Sequence, residues 1–164
     1  MLQDLDLIVN LYNLPDNTDP RPRMEAQGIY IKRAVSPDKT VILNFIKSEF
    51  SQGWADEAEK AIFNCPSSCY IAVHDHKVVG FACYDSVGLG YYGPLGVAAS
   101  MRKRGIGEAL TSVCLSAMRE KGYGYIIINA GPVEYYIKHL NACIIGDPQS
   151  KGDHLAVYNN MICN

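Results

Sequence analysis

The chain has 164 residues, of which 48% are hydrophobic and 20% charged, with a formal net charge of −2 at pH 7 and a pI near 6.1. That length and balance describe a single globular domain able to bury a core without disulfides or metal, and they exclude a disordered chain. The near-neutral charge gives no global field for nucleic acid or an anionic membrane, and no apolar run approaches the roughly 20 residues that span a bilayer.

Six cysteines, at positions 65, 69, 83, 114, 143 and 163, fall mostly inside apolar strand or helix patterns. They read as small core hydrophobes in a reducing compartment. Cys65 and Cys69 are the one close pair, with no second pair and no nearby histidine to close a zinc site, so no metal is expected. The first residues lack a charged leader followed by an apolar core, and a cytoplasmic location is expected.

In chain order, residues 1–28 stand apart as an extension. Leu5 to Tyr12 is aliphatic enough to pair as a strand, and Pro15 to Pro22 is a turn-rich connector. The plain reading is an added edge strand; the sharper ones are a homodimer contact or a lid. The domain proper, residues 29–164, opens on the alternating strand Ile29 to Ala34. Ser36-Pro37 is expected to act as N-cap and first residue of a helix carrying Val41, Ile42, Phe45 and Ile46 on one face. Phe50 to Gly53 breaks it, and a second helix from Trp54 to Asn64 stops before Cys65-Pro66. Cys69 to His74 and Lys77 to Asp85 form a hairpin whose turn carries His74, Asp75 and His76 in solvent. After Ser86-Val87-Gly88, Leu89 to Val97 adds the third strand of a meander.

From Leu89 to Leu110 an apolar run gives way to a basic, glycine-spaced loop that opens into a helix. Gly105 and Gly107 let the backbone curl tightly, the helix adds its positive dipole end, and Arg102, Lys103 and Arg104 bring positive charge. A pyrophosphate suits that cradle. A P-loop would need Lys-Ser/Thr after Gly107, where Glu108-Ala109 stands, and a dinucleotide fingerprint would need a third glycine at Leu110. Ile106, Ala109, Leu110, Val113, Cys114, Ala117 and Met118 recur at three and four, which predicts a helix with one face on the sheet, ended by Lys121-Gly122. Tyr125 to Ile128 reads as a central strand buried on both faces, parallel to its predecessor through a right-handed crossover. Gly131-Pro132 opens a further short helix, and Ala142 to Ile145 and Leu155 to Tyr158 supply two last strands.

Arg102-x-x-Gly105-x-Gly107, placed after Leu95-Gly96-Val97 and before an amphipathic helix, resembles the acyl-CoA-binding motif of the GNAT acyltransferase superfamily. The order of elements resembles that fold over about residues 29–160. The resemblance implies an α/β (α+β) architecture: a mixed, mostly antiparallel sheet flanked by helices, with a parallel pair that splays at the cofactor cleft. It implies acetyl-CoA as acyl donor, held by Leu95, Gly96, Val97, Arg102, Lys103, Arg104, Gly105, Ile106, Gly107, Glu108 and Asn129. Asn129 and Tyr136 keep the family's seven-residue spacing, which makes Tyr136 the group that protonates or stabilises the departing thiolate. Asn141 stands where many relatives carry glycine, and asparagine tolerates the left-handed conformation. By the same resemblance Glu49, Trp54 and Glu57 are candidate acceptor contacts. Glu49, Asp85 and Glu134 are candidate bases, although helix capping suits Glu134 and a turn suits Asp85, so no base is assigned. The implied function is acetyl transfer to a primary amine of a small molecule or peptide. A non-catalytic acyl-CoA-binding or sensing module of the same fold is the alternative.

Overall fold

The computed structural model describes residues 5–129, 131–147 and 149. In chain order they form β1 (Asp6–Asn10), α1 (Arg21–Glu25), β2 (Ile29–Arg33), α2 (Lys39–Glu49), α3 (Gln52–Phe63), β3 (Cys69–His74), β4 (Lys77–Tyr84), β5 (Tyr91–Val97), α4 (Ile106–Lys121), β6 (Tyr125–Asn129), α5 (Val133–Leu140) and β7 (Cys143–Ile144). The strands make one mixed sheet in the order β2-β3-β4-β5-β6-β1-β7, in which only β5 and β6 run parallel. This is the architecture expected from the sequence. The expected strand Leu155 to Tyr158 lies outside the described residues.

Two apolar layers hold the sheet. On one face every residue of the predicted α4 stripe, from Ile106 to Met118, is buried, with the helix lying over β3, β4 and β5. Gly122 ends that helix in the left-handed region at φ +108°. On the other face α2 and α3 pack Ile42, Ile46, Ala58 and Ile62 against Ile71, Phe81 and Cys83 of β3 and β4. Phe45 is half-buried and Val41 exposed, so the α2 stripe is narrower than its spacing predicts. That second layer does not reach β6. Ile126 and Ile128 are buried in the core on the α4 side, whereas Ile127 is half-buried and Tyr125 exposed, which corrects the expectation of burial on both faces.

Local differences have local causes. Ser36–Asp38 is a short 3-10 turn without a side-chain cap, and α2 starts after it. The cap that forms is Ser51, whose Oγ accepts the Trp54 N–H at 3.2 Å and starts α3 two residues early. The β3–β4 hairpin closes through Asp75 and His76, both at positive φ, and His74 is tied down by Nδ1 at 2.9 Å from the Gly28 carbonyl oxygen. The connector contains α1, entered through Pro20 and Pro22 and burying Met24.

The largest correction concerns β1. It pairs antiparallel with β6, Ile8 opposite Ile127, and on its other edge with β7, Ile8 opposite Cys143. Its β6 edge is thus taken along the whole strand and its other edge at Leu7 and Ile8, and Leu7, Val9 and Leu11 are buried in the core on the α4 side of the sheet. It is therefore an interior strand of the sheet rather than an added edge strand. No helix among the described residues is long and apolar enough to cross a membrane.

Candidate active site

The site begins with a mismatch between two strands. Ala82 faces Leu95 while Tyr84 faces Tyr92, so two steps along β4 match three along β5. The extra residue is a bulge at Gly93-Pro94, and a bulge bends the strand that carries it. Its effect appears on the opposite edge. The parallel ladder with β6 consists of Tyr91 opposite Ile127 and Tyr92 opposite Ile128, and from Gly93 onward β5 leaves its neighbour. A cleft of about 870 Å³ opens in the fork, bounded by β5, the end of β6, the start of α4, α5, and Phe50, Trp54 and Glu57.

Leu95, Gly96, Val97, Arg102, Lys103, Gly105, Ile106, Gly107, Glu108, Asn129 and Tyr136 all line this cleft. Arg104 does not. Its guanidinium donates to the Gln27 carbonyl oxygen at 3.4 Å, and the Gln27 side chain donates back to the Arg104 carbonyl oxygen at 3.5 Å, so it ties the loop to the α1–β2 connection.

The loop turns into α4 through two left-handed residues, Lys103 at φ +61° and Gly105 at φ +80°. The first helical bond runs from the Ala109 N–H to the Gly105 carbonyl oxygen at 3.0 Å, and α4 has no side-chain cap. The amides of residues 106–108 are therefore the helix's unsatisfied donors, at its positive dipole end. A Cβ on Gly107 would meet only Val97 Cγ2, at 3.8 Å, so the protein itself has no packing need for glycine there. Gly96 is different: a Cβ would lie 2.5 Å from Phe50 Cζ and 2.8 Å from Phe81 Cε1, so its bareness seats Phe50. Behind the loop, Tyr92 Oη lies 2.8 Å from Thr111 Oγ1, which donates to the Gly107 carbonyl oxygen at 2.8 Å and fixes the first turn.

Tyr136 is 4% exposed and its ring packs in the α4-side core. Burial, and then the neighbouring Tyr135, push its phenol up to about 12. Tyr135 is half-buried and stacks on His139, ring centroids 4.5 Å apart. Asn129 ends β6 at the cleft wall, and Asn141 caps α5 at φ +53°, as its substitution for glycine predicts. Its side-chain amide also donates to the Asn13 carbonyl oxygen at 3.1 Å.

The candidate bases separate cleanly. Glu49 and Glu134 are exposed and lie off the cleft, and Glu134 makes no side-chain cap. Asp85 is buried and already engaged: its carboxylate accepts from Lys121 Nζ at 2.7 Å, the Gly90 N–H at 2.8 Å and Tyr123 Oη at 3.0 Å. That bond holds the Lys121 ammonium above its usual range. Asp85 anchors the loop into β5 and is no base. Asp85→Ala is expected to lower stability by about 3 kcal/mol, since a buried carboxylate is removed and the Gly90 N–H, the Tyr123 hydroxyl and the Lys121 ammonium lose their acceptor. Lys121→Met, at a side chain 45% exposed, is expected to cost under about 1 kcal/mol. Urea titration of the two variants checks the ranking. Sequence reasoning missed Phe50 and the bulge at Gly93-Pro94; the proline inside a predicted strand was the available signal.

A family model described as the acetyltransferase (GNAT) family matches residues 40–140. Comparison with curated protein sequences gives no match. Among solved structures, the GCN5-related glucosamine N-acetyltransferase region of a fungal multi-domain β-N-acetylglucosaminidase aligns with a TM-score of 0.68, 14% identity and 86% of this chain covered. A GCN5-related N-acetyltransferase from Sphaerobacter thermophilus gives 0.62, 17% and 87%. A GNAT family acetyltransferase from Brucella melitensis, in complex with acetyl-CoA, gives 0.55, 20% and 67%. The chain spans 19%, 49% and 80% of the lengths of these three chains respectively. At such identities the likeness is one of fold.

Proposed function

The chain belongs to the GNAT acetyltransferase family, and from that premise we propose that it transfers an acyl group, acetyl in the simplest case, from a CoA thioester to a primary amine. The observation that carries this reading is the fork between β5 and β6, with the uncapped start of α4 and Tyr136 in its walls. The Brucella melitensis neighbour, solved with acetyl-CoA, supports the donor.

When bound, the CoA thioester supplies an activated acyl carbon and a thiolate leaving group. The amides of residues 106–108, with Arg102 and Lys103, would hold its phosphates. The free edge of β5 from Gly93 to Val97 would receive the pantetheine arm as a sheet edge receives an added strand, and the Asn129 amide would steady that arm. Tyr136, in the cleft wall, would serve the sulfur. A phenol near 12 lies well above an ordinary thiol at about 8.5, so outright proton transfer to sulfur is uphill. Its work is to donate a hydrogen bond as negative charge grows there.

Tyr136→Phe is therefore expected to lower kcat by roughly ten- to a thousandfold while leaving acetyl-CoA affinity within about twofold. The raised value also fixes the sign of the pH response. The donor stays protonated through the alkaline range, so its ionisation removes no activity below about pH 11. Thiol release from acetyl-CoA, measured against a panel of amines, amino acids and peptides for both proteins, is the test. Tight acetyl-CoA binding with no thiol release for any amine would overturn transfer in favour of a non-catalytic acyl-CoA-binding module. Full rate in Tyr136→Phe would remove the role of its hydroxyl.

A further inference from the structure

The wall of the cleft opposite α4 has a chemistry of its own. Phe50 stacks on Trp54, centroids 5.3 Å apart at 27°, and is braced edge-on by Phe45 at 6.0 Å and against Phe81 at 5.7 Å. Gly96 makes room for it. Glu57 stands one turn along α3 from Trp54, on the same helix face, and lines the same cleft. The other charged residues of the cleft wall, Arg102, Lys103 and Glu108, belong to the loop and first turn of α4, and Glu108 is paired with Arg23 at 3.2 Å.

Glu57, by contrast, makes no ion pair or hydrogen bond among the described residues. Burial alone pushes its carboxyl above the usual range, and no neighbouring cation pulls it back. A half-buried carboxylate one turn from Trp54, in a cleft wall that also carries Phe50, with no positive partner of its own, is complementary to an ammonium group.

We propose that Phe50, Trp54 and Glu57 form the acceptor subsite, and that it takes a cationic primary amine carried on an apolar or aromatic body without an adjacent carboxylate. The inference rests on the transfer reading given above. Glu57 holds the ammonium and accepts one of its protons, which passes on to water. The nitrogen lone pair so released forms the C–N bond and the C–S bond breaks with its electron pair on sulfur. The second proton lost from nitrogen ends on that sulfur, so the products are an amide, a thiol and one proton in solution. An acceptor with its own carboxylate would set like charges together at Glu57, and an uncharged alcohol would lose the ion pair.

Phenethylamine, phenylalanine and phenethyl alcohol share one skeleton and test each element separately. Thiol release from acetyl-CoA should favour phenethylamine over phenylalanine by at least about tenfold in kcat/KM, with no release for the alcohol. Glu57→Gln should raise the phenethylamine KM about tenfold or more and lower kcat, Glu57→Asp should recover part of both, and acetyl-CoA affinity should stay within about twofold in each. Calorimetric titration of phenethylamine into the acetyl-CoA-saturated protein gives a readout independent of turnover. Equal use of phenylalanine, or unchanged kinetics and binding in Glu57→Gln, overturns the subsite while leaving transfer intact. Glu57-dependent binding of phenethylamine with no thiol release overturns transfer and leaves the subsite standing. No binding at all overturns the subsite.

Discussion

A chain that starts at Asn13, and so lacks β1, should show no cooperative thermal transition and no acetyl-CoA binding. Leu7, Val9 and Leu11 are each at most 1% exposed. Burial of one such side chain contributes roughly 2 kcal/mol, so the loss is about 6 kcal/mol before any backbone bond is counted. A domain of this size is stable by roughly 5–15 kcal/mol in total. The deletion also strips β6 of one neighbour and leaves β7 with no strand to pair with. A milder variant, Val9→Asp, places a charge in the same core and should lower the melting temperature by more than 10 °C, given several kcal/mol of loss. Circular dichroism on heating checks both. A shortened chain that melts sharply within a few degrees of the full one would show that β1 adds little.

Gly107→Asp should separate fold from ligand in the opposite way. A Cβ at this position has ordinary space, and an acidic residue in the first turn of a helix suits its dipole, so the melting temperature should hold or rise slightly. The same carboxylate enters the cleft where phosphate oxygens are expected, beside Arg102 and Lys103. Like-charge repulsion and the blocked approach to the helix amides should weaken CoA binding at least a hundredfold, or about 2.7 kcal/mol. Gly107→Ala, which adds bulk without charge, should fall between. Calorimetric titration with CoA is the measurement, and unchanged affinity in the aspartate variant would remove the cradle from the proposed function.

Much of this architecture was legible because period and composition carry it. The stripe from Ile106 to Met118 could only be a helix with one buried face, and the glycines at 105 and 107 marked a backbone curl before any coordinates. Asn141 was readable for the same reason, since few side chains accept a left-handed helix end. Pairing was not legible. The aliphatic run from Leu5 to Tyr12 marks a strand but not which strand lies alongside, so β1 looked like an edge addition. The direction of Arg104 was hidden because it depends on a carbonyl at Gln27, far away in sequence. Asp85 looked like a base or a turn until Lys121, Gly90 and Tyr123 were seen to converge on it. Glu57 became distinctive only through what fails to meet it.

The interior position of β1 also governs the order in which the molecule can be made. On the ribosome its strand emerges before β2 to β5, yet its ladder partner Ile127 and its outer neighbour Cys143 are among the later residues synthesised. The β2–β5 meander and the α2–α3 layer are local in sequence and can assemble while β1 waits. During that interval Leu7, Val9 and Leu11 have no partner and form an aliphatic strand open to other chains. Refolding should accordingly be limited by the late closure of β1 into the gap between β6 and β7, and its yield should fall with protein concentration more steeply than that of a variant in which β1 is transplanted, by circular permutation, to follow β7.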